Sequence, residues 1–439
     1  MSIFKACDIR GLYPSELSEA RAFAIGRALG TELGGGACVL GGDLRPSTTA
    51  LMAAVRDGLC KSGASVVDLG VTPTPVVYWA RHALQVRGAV IVTASHNPPE
   101  YSGIKFAFGN RPPMPEDLER VAARVGAGEF SSGRGSVHER NVRDDYLRFL
   151  RRQFGNAAQG LRVLVDAGNG CAAGWAPEAL RGAGCEVTEL FCAPDGRFPN
   201  RSPNPSSGQV LKEASALAVA TNADLAVAFD GDADRAVFLD ENGVLVEGDK
   251  SIIVFARDIL AREPGATIVY DLKCTQRVAQ EVRRAGGRPV AERSGYAFIK
   301  SRLLDEGAAF AGEASGHFFF RELGGDDGIY AALRMAALLR AGGRRLSELV
   351  GSIPPYFISP DIRLPRPAND GPQVVEHLKR AFADRPQDHT DGVRIEFPHG
   401  WALCRVSVTE PVVTLRFEGE SPAALEDIRQ RVLQQIPST

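Results

Sequence analysis

The stretch GAVIVTASH, residues 88–96, is a short apolar run that ends in a serine and a histidine. Such an unbroken apolar run is typical of a strand that is covered on both faces of a sheet. Two prolines follow at positions 98 and 99, and proline cannot continue a hydrogen-bonded ladder. The sequence therefore predicts a buried strand that places Ser95 and His96 in a loop at its carboxyl end.

This strand is the last strand of a repeat that occurs three times along the chain. In each unit a strand, a helix-like stretch and a second strand come first, and the third strands are GAVIVTASH (88–96), ADLAVAFDGD (223–232) and GAAFAGEASGH (307–317). Apolar strands that alternate with helices predict mixed, mostly parallel sheets, so we expect three related α/β domains. Ligands bind beyond the carboxyl ends of such strands, and the three loops are expected to face one cleft.

The chain after about residue 355 has a different pattern. A proline-rich passage, SIPPYFISPDIRLPRP, predicts a linker, and VVEHLKRAFA predicts a helix. The stretches DGVRIEF, WALCRVSV and PVVTLRF alternate as antiparallel strands do, which indicates a smaller α+β domain. The predicted domains are 1–140, 141–244, 245–355 and 356–439.

Composition excludes several classes of protein. The 439 residues carry a formal net charge of −2 with both signs interspersed, which argues against nucleic-acid and membrane-surface partners. Neither a signal-like segment nor an apolar stretch of bilayer length is found, and the eight cysteines form no CxxC pair. We expect a cytoplasmic protein, a monomer or a dimer, with a small-molecule ligand.

The loop DGDADR carries Asp230, Asp232 and Asp234 at alternate positions. Three carboxylates this close repel one another unless a hard cation lies between them, and Mg²⁺ is the natural candidate. A solvated acidic turn is the simplest alternative. A calcium-binding EF-hand is disfavoured, because Arg235 stands where that loop needs glycine and the flanking stretches read as strands.

Other polar clusters are weaker signals on their own. Ser95 needs activation to act as a nucleophile and could equally cap a helix. Glu313 and Ser315 lie two residues apart, as a pair that holds sugar hydroxyls does, or as in a surface turn. Three side chains in RVSVTEP share one face of a strand and suit a phosphate dianion, although an ordinary amphipathic strand looks the same: Arg405, Ser407 and Thr409.

Together, TASHNP, DGDADR, GEASGH and RVSVTEP, in this order, resemble the α-D-phosphohexomutase superfamily, most of all its bacterial phosphomannomutase/phosphoglucomutase branch. The resemblance extends from CDIRG at 7–11 to TLRFEG at 414–419. It implies three related α/β domains and a fourth domain of the TATA-box-binding-protein-like kind. It also implies an enzyme that moves phosphate between O1 and O6 of mannose or glucose phosphates, through a phosphoserine and a hexose 1,6-bisphosphate, with glucose 1,6-bisphosphate as activator.

The same resemblance implies a role for each candidate residue. Ser95 would be the phosphoserine and, with the three aspartates, would hold Mg²⁺. Glu313 and Ser315 would contact the sugar O3 and O4, and Arg405, Ser407 and Thr409 the phosphate that is not reacting. The remaining residues would neutralise charge, move protons or line the cleft: Arg10, His96, Asn97, Lys105, Arg235, Lys273 and His317.

Two positions depart from the pattern of the family. Tyr296 stands where relatives usually have a histidine that touches the ligand, and Val408 replaces an asparagine in RVSVTEP. Alternatives that the sequence leaves open are a phosphoglucosamine mutase, a relative that releases glucose 1,6-bisphosphate, a phosphatase, and a non-catalytic sugar-phosphate-binding protein. A loop that holds only O3 and O4 cannot easily separate the C2 epimers glucose and mannose, so dual specificity is expected.

Overall fold

The computed structural model describes residues 3–206, 208–366, 370–406 and 412–436. Each of the first three domains is a sheet covered by helices, and the fourth is an antiparallel sheet with helices against it. Across these residues, no helix combines the length and the apolar character needed to span a bilayer. The eight cysteines are all unpaired.

The first domain holds a six-stranded sheet in the order β1-β5-β4-β2-β3-β6. Strands β2, β3, β4 and β6 are parallel, whereas β5 runs antiparallel between β4 and β1. Its elements are β1 (Ile9–Leu12), α1 (Glu19–Leu33), β2 (Ala37–Gly42), α2 (Thr48–Lys61), β3 (Ser65–Val71), α3 (Thr74–Ala83), β4 (Gly88–Val92), β5 (Tyr101–Phe108), α4 (Pro115–Ala127) and β6 (Val137–Glu139).

The second domain repeats the same central arrangement in a sheet of order β11-β10-β9-β7-β8. Strand β7 is parallel to both neighbours, and β10 and β11 extend the sheet antiparallel. Its elements are α5 (Arg143–Phe154), β7 (Arg162–Asp166), α6 (Ala176–Gly182), β8 (Glu186–Leu190), α7 (Lys212–Ala220), β9 (Leu225–Phe229), β10 (Ala236–Leu239) and β11 (Leu245–Val246).

The third domain has a sheet of order β13-β12-β14-β15-β16, again with its first strand between two parallel neighbours. Its elements are α8 (Gly248–Arg262), β12 (Thr267–Asp271), α9 (Arg277–Arg284), β13 (Arg288–Glu292), α10 (Tyr296–Asp305), β14 (Phe310–Gly312), β15 (Phe318–Phe320), β16 (Gly325–Asp326), α11 (Gly328–Gly342) and α12 (Leu346–Gly351). The predicted triplication is therefore also a triplication of topology, because β4, β9 and β14 occupy equivalent places in the three sheets.

The fourth domain consists of β17 (Phe357–Ile358), β18 (Ile362–Pro365), α13 (Gly371–Ala381), β19 (Gln387–Asp388), β20 (Val393–Phe397), β21 (Gly400–Val406), β22 (Val412–Gly419) and α14 (Pro422–Gln434). The prediction of a linker in SIPPYFISPDIRLPRP was wrong in part, since β17 and β18 both pair with β22. Prolines are tolerated there because both short strands add to one exposed side of the sheet.

The hydrophobic core explains how these domains are held together. One continuous cluster of buried apolar side chains runs from the first domain through the second into the third, and it includes Val39, Tyr146, Phe229 and Phe255. The fourth domain has a separate core that includes Ala402 and Phe417. The first three domains thus share apolar packing, whereas the fourth has a core of its own.

Candidate active site

Ser95 lies at the first turn after β4 and is almost completely buried. Its Oγ donates a 2.7 Å hydrogen bond to Oδ2 of Asp230, and Nδ1 of His96 lies 3.3 Å from the same oxygen. The backbone of Ser95 has a φ of +49°, a conformation that is costly for a residue with a side chain. The turn is held in this conformation by its surroundings, so the hydroxyl is presented in one orientation.

Gly231 allows the loop DGDADR to approach Ser95 closely. A Cβ at Gly231 would lie 2.5 Å from the carbonyl oxygen of Ser95, which is far inside van der Waals contact. The two loops follow equivalent strands, β4 and β9, in neighbouring domains. A glycine is therefore required in DGDADR for the serine and the aspartates to share one site.

Asp230, Asp232 and Asp234 converge as the sequence predicts, and their carboxylate oxygens lie within 4.8 Å of one another. All three side chains are buried, and Oδ1 of Asp232 has no hydrogen-bond partner among the described residues. Burial, together with the charges of Asp234 and Asp232, raises the pKa of Asp230 well above its ordinary value. A buried, all-oxygen donor set in which Oδ1 of Asp232 has no partner among the described residues fits a hard divalent cation such as Mg²⁺.

Two threonines that sequence reasoning missed fix one of these carboxylates. Thr74, at the start of α3, and Thr93 donate hydrogen bonds of 2.7 and 3.0 Å to Oδ2 of Asp232. These bonds leave Oδ1 of Asp232 as the oxygen without a hydrogen-bond partner among the described residues. The loop of the second domain is therefore oriented by hydroxyls of the first domain.

Lys105 and His317 supply positive charge on the far side of the aspartates. Nζ of Lys105 donates to Asp234 at 2.6 Å, and Nε2 of His317 lies 3.2 Å from the other oxygen of Asp234. Burial opposes both charges, but Asp232 and Asp234 outweigh it and raise the pKa of Lys105 well above its usual value. In the same way Asp234 overcomes burial and raises the pKa of His317 to about 10, so both groups are cations at neutral pH.

His96 has the opposite character. Burial, reinforced by the charges of Arg235 and Arg10, lowers its pKa well below the usual value, so the imidazole is neutral. Arg10 reaches the same loop by donating a 2.6 Å hydrogen bond to Oδ1 of Asn97. The loop after β4 therefore combines a hydroxyl, a neutral imidazole and an amide beside a guanidinium.

The GEASGH loop after β14 joins this cluster. Glu313 lies 2.8 Å from Nδ1 of His317 and accepts a 2.6 Å hydrogen bond from the backbone N–H of Gly295, while Oγ of Ser315 lies 3.2 Å from the same imidazole nitrogen. Arg235 connects the second and third loops, since its Nε lies 3.4 Å from Nε2 of His317. Glu313, Ser315 and Arg235 also line the cleft.

Tyr296, which departs from the family pattern, forms a hydrogen bond to the first domain. Its hydroxyl donates a 2.9 Å hydrogen bond to the carbonyl of Cys7, and Nζ of Lys105 lies 5.2 Å from the centre of its ring. A cation over an aromatic ring is favourable in a buried site. Its hydroxyl is therefore engaged by the protein backbone.

A cleft of about 570 Å³ opens from these loops toward the fourth domain. Lys273 lines it from the third domain and forms an ion pair with Asp361, which also lies 3.5 Å from Nη1 of Arg416. Arg405 lines it from β21 and pairs with Asp391 at 2.6 Å. Ser407, Val408 and Thr409 lie outside the described residues.

Comparison with known proteins shows similarity along all four domains. The chain matches the protein family described as "Phosphoglucomutase/phosphomannomutase" in four segments. Residues 1–131, 144–243 and 247–357 match its alpha/beta/alpha domains I, II and III, and residues 362–435 match its C-terminal domain. The chain is 38% identical over 435 residues to a phosphomannomutase/phosphoglucomutase of Pseudomonas aeruginosa, covering 98% of this chain and 94% of the relative.

Two further relatives span the whole length as well. A phosphoglucomutase of Neisseria gonorrhoeae is 37% identical over 440 residues, with 98% of this chain and 95% of the relative covered. A crystal structure of a phosphoglucomutase/phosphomannomutase family protein from Burkholderia thailandensis superposes with a TM-score of 0.92 at 36% identity, covering 98% and 97% of the two chains. Likeness on this scale extends through all four domains.

Proposed function

Since the chain belongs to the phosphoglucomutase/phosphomannomutase family of isomerases, we propose that it moves phosphate between O1 and O6 of a hexose phosphate by way of phosphorylated Ser95. The observation that carries this proposal is the placement of one hydroxyl. Oγ of Ser95 is buried, lies 2.7 Å from Asp230 and adjoins the cluster of three carboxylates. A phosphoryl group on that oxygen would stand between the candidate metal ligands and the cleft.

Asp230, Asp232 and Asp234 would hold Mg²⁺ together with an oxygen carried by Ser95. Bound there, the ion would neutralise the charge on the phosphoryl group that is transferred. The chain itself supplies the rest of the charge balance through Lys105, and it keeps this ammonium protonated by pairing it with Asp234.

In the first half-reaction the phosphorus–Oγ bond of phosphorylated Ser95 breaks and a bond to the free sugar hydroxyl forms, which gives a hexose 1,6-bisphosphate. The sugar hydroxyl loses its proton, and we propose that neutral His96, whose Nδ1 lies 3.3 Å from Oγ, accepts this proton and passes it to the departing Oγ. In the second half-reaction Oγ gives its proton to a base and attacks the other phosphate, the bond between that phosphorus and the sugar oxygen breaks, and the departing sugar oxygen takes up a proton. We propose protonated Lys105 and His317 as donors of that proton.

The remaining residues are proposed to hold the sugar phosphate. Glu313 and Ser315 offer acceptors and a donor to two adjacent hydroxyls, and Arg235 spans the same part of the cleft. Lys273 and Arg405 line its far end, which suits them to the phosphate that is not reacting. The proposed partner is a small hexose phosphate, with glucose 1,6-bisphosphate as the activator that first phosphorylates Ser95.

Because the proposed sugar contacts lie at two hydroxyls and not at C2, we propose that glucose and mannose phosphates are both substrates. The test is coupled kinetics with glucose 1-phosphate, mannose 1-phosphate and glucosamine 1-phosphate, each with Mg²⁺ and a trace of glucose 1,6-bisphosphate. Ser95→Ala should abolish turnover of both neutral sugars. Ser102→Ala is the matched control, because Ser102 is another buried serine of the first domain and lies on β5.

A second measurement separates the mechanism from the activity. Incubation with glucose 1,6-bisphosphate that carries labelled phosphate should label wild type on the peptide that contains Ser95, and should not label Ser95→Ala. Turnover by Ser95→Ala at the wild-type rate would contradict the proposed nucleophile. Turnover of glucosamine 1-phosphate alone would indicate a phosphoglucosamine mutase, release of free phosphate a phosphatase, and sugar binding without turnover a non-catalytic binding protein.

A further inference from the structure

A second cavity, here called the rear cavity, lies where the first, second and third domains meet. Its volume is about 490 Å³, and among the described residues it shares no lining side chain with the catalytic cleft. One wall is aromatic and aliphatic and is built from α3, α5 and the turn after β15: Tyr78, Trp79, Leu84, Phe149 and Leu323. Cavities of this size with apolar walls and a few polar groups are the usual form of small-molecule sites.

Lys300 lines the rear cavity and has no role in the proposed reaction. Its side chain comes from α10, and the residue is only 6% exposed. It forms no hydrogen bond or ion pair with any described residue, and the centre of the Tyr78 ring lies 4.4 Å from Nζ. Burial lowers the pKa of Lys300 to about 8. The charge of Asp326 acts on Lys300, but no carboxylate lies within ion-pair distance of it among the described residues, and Asp326 also acts on His317. The buried ammonium therefore has no ion pair of its own.

The acidic residues around the rear cavity are engaged elsewhere. Asp145 pairs with Arg148 and Arg140, and Asp327 accepts hydrogen bonds from the hydroxyl of Tyr146 and from the first turn of α11. The other two acids lie close to other groups: Glu322 accepts from the hydroxyl of Tyr330, and Oδ2 of Asp326 lies 3.7 Å from Nε2 of His317.

Some basic residues around the rear cavity carry a positive charge that no ion pair with a described residue neutralises. Arg152, at the rim, forms no ion pair or hydrogen bond within the described part of the chain and is exposed to solvent. Arg81, also at the rim, donates to a neutral group, the side chain of Asn110, at 2.7 Å. Among the described residues, none of Lys300, Arg81 and Arg152 therefore has a carboxylate within ion-pair distance around this cavity with aromatic walls.

We propose that the rear cavity is a second binding site, for a small anion in which a carboxylate or phosphate is carried on an aromatic ring. The anionic group would pair with Lys300, and the ring would pack against Tyr78 and Trp79. Arg152 would add long-range attraction at the entrance.

Two elements connect the rear cavity to the catalytic cluster. Helix α3 carries Tyr78 and Trp79, and it begins at Thr74, which holds Asp232. Asp326 lines the rear cavity and faces His317 across 3.7 Å. An anion bound in the rear cavity would contact both α3 and Asp326, so its binding is expected to change kcat as well as to quench the fluorescence of Trp79.

The test uses the full chain with Ser95→Ala, saturated with glucose 6-phosphate so that the catalytic cleft is filled. Phenyl phosphate and benzoate are titrated separately while tryptophan fluorescence is recorded, and the comparison of the two shows which anionic group is preferred. Trp79→Phe in the same background identifies the signal, because Trp175 and Trp401 also fluoresce. Saturable quenching that disappears with Trp79→Phe is the expected result.

Lys300→Met added to this background should weaken binding at least about tenfold, the loss expected for one hydrogen bond to a charged group. Lys212→Met is the matched control, since Lys212 is exposed on α7 and its loss changes the net charge equally. If Lys300→Met does not fold, Arg152→Gln should weaken binding at low ionic strength and not at high. Equal affinity in the Lys300 and Lys212 variants, or no saturable quenching by either anion, would overturn the proposal. In wild type, an unchanged kcat at saturating probe would overturn the connection to the cluster alone.

Discussion

Arg45 and Asp43 form an ion pair in which both side chains are buried, with Nε of Arg45 2.9 Å from Oδ2 of Asp43. The guanidinium has N–H groups left over, and it donates them to the backbone carbonyls of the loop after β4, at Ser95, Asn97, Pro98 and Tyr101. Asp43 in turn accepts from the backbone N–H of Ala94 at 3.3 Å. The turn that presents Ser95 is thus fixed by one buried pair from the loop after β2.

Arg45→Met should lower both stability and kcat. Removal of the guanidinium leaves Asp43 charged, buried and unpaired, which costs about 3–5 kcal/mol in the free energy of unfolding. It also frees several carbonyls that hold Ser95 in its positive-φ conformation, so kcat should fall about a hundredfold or more. Urea denaturation and coupled kinetics measure the two effects.

Arg197→Gln is the control for this prediction, because Arg197 forms an exposed pair with Asp195 at the protein surface. Surface pairs contribute little, so its melting temperature and kcat should stay close to those of wild type. A folded Arg45→Met enzyme with wild-type kcat would show that the loop does not need the pair.

Asp232→Asn should weaken metal binding and make the metal-free protein more stable. Without a cation the three buried carboxylates repel one another, and Oδ1 of Asp232 has no partner among the described residues. Removal of one charge should therefore raise the melting temperature in EDTA, as is common when a functional site is neutralised. Mg²⁺ should raise the melting temperature of wild type and have much less effect on the variant, since only a bound ligand stabilises the folded state.

Thermal unfolding with EDTA and with Mg²⁺ gives both numbers. Asp240→Asn is the matched control, because Asp240 is buried in the same domain and, among the residues that the structure describes, its carboxylate accepts hydrogen bonds from backbone N–H groups of its own turn alone. It should keep the full response to Mg²⁺. An equal Mg²⁺ response in Asp232→Asn would place the cation elsewhere.

The parts of this site that the sequence predicts are those that follow a local pattern. Apolar runs identify β4, β9 and β14, and the polar residues at their ends give Ser95 and the aspartates. Arg45 could not be found in this way, because a basic residue in a loop fifty positions earlier carries no local signal of the carbonyls that it will meet. Thr74 and Thr93 were missed for the same reason, since each reads as an ordinary residue at the end of an element.

The linker prediction was wrong for a related reason. Strand propensity is low in SIPPYFISPDIRLPRP, yet the side of β22 that is open for pairing accepts two short strands from it. Tertiary context decides such cases. The departure at Tyr296 was visible from the sequence, but its hydrogen bond to the carbonyl of Cys7 depends on how the first and third domains meet.

Glu418 should make stability depend on pH. It is fully buried in β22 and accepts a 3.2 Å hydrogen bond from the backbone N–H of Gln276 in the third domain. Burial raises its pKa from 4.5 to about 7, although Thr275, Gln276, Arg394 and Trp401 oppose the shift. Because the folded pKa is the higher one, its contribution to stability is complete below pH 4.5 and is lost as pH rises through 7.

Glu418→Gln keeps the shape of the protonated acid and cannot ionise. The variant should match wild type near pH 4 and become the more stable protein as pH rises, with a difference that grows by at most about 1.4 kcal/mol per pH unit between 4.5 and 7 and stays constant above 7. Urea denaturation at a series of pH values measures it. Glu420→Gln is the control, because Glu420 is exposed beside His399, and parallel pH profiles for wild type and Glu418→Gln would contradict the prediction.

Asp361→Asn should strengthen substrate binding. Asp361 belongs to the fourth domain and lines the cleft, where it pairs with Lys273 of the third domain and lies 3.5 Å from Arg416. A substrate phosphate that enters the cleft competes with this carboxylate for the same cations. Its removal should lower KM for glucose 1-phosphate about three- to fivefold at low ionic strength, which is the scale of one partly exposed ion pair.

The effect should shrink as salt is added, because interactions between partly exposed charges are screened. Asp258→Asn is the matched control, since Asp258 lies on α8, pairs with Arg262 and Arg334 and does not line the cleft. KM values at low and high salt for wild type and both variants decide the question. A higher KM in Asp361→Asn would mean that Asp361 positions Lys273 for the phosphate and does not compete with it, because the loss of a positioning group weakens binding whereas the loss of a competitor strengthens it.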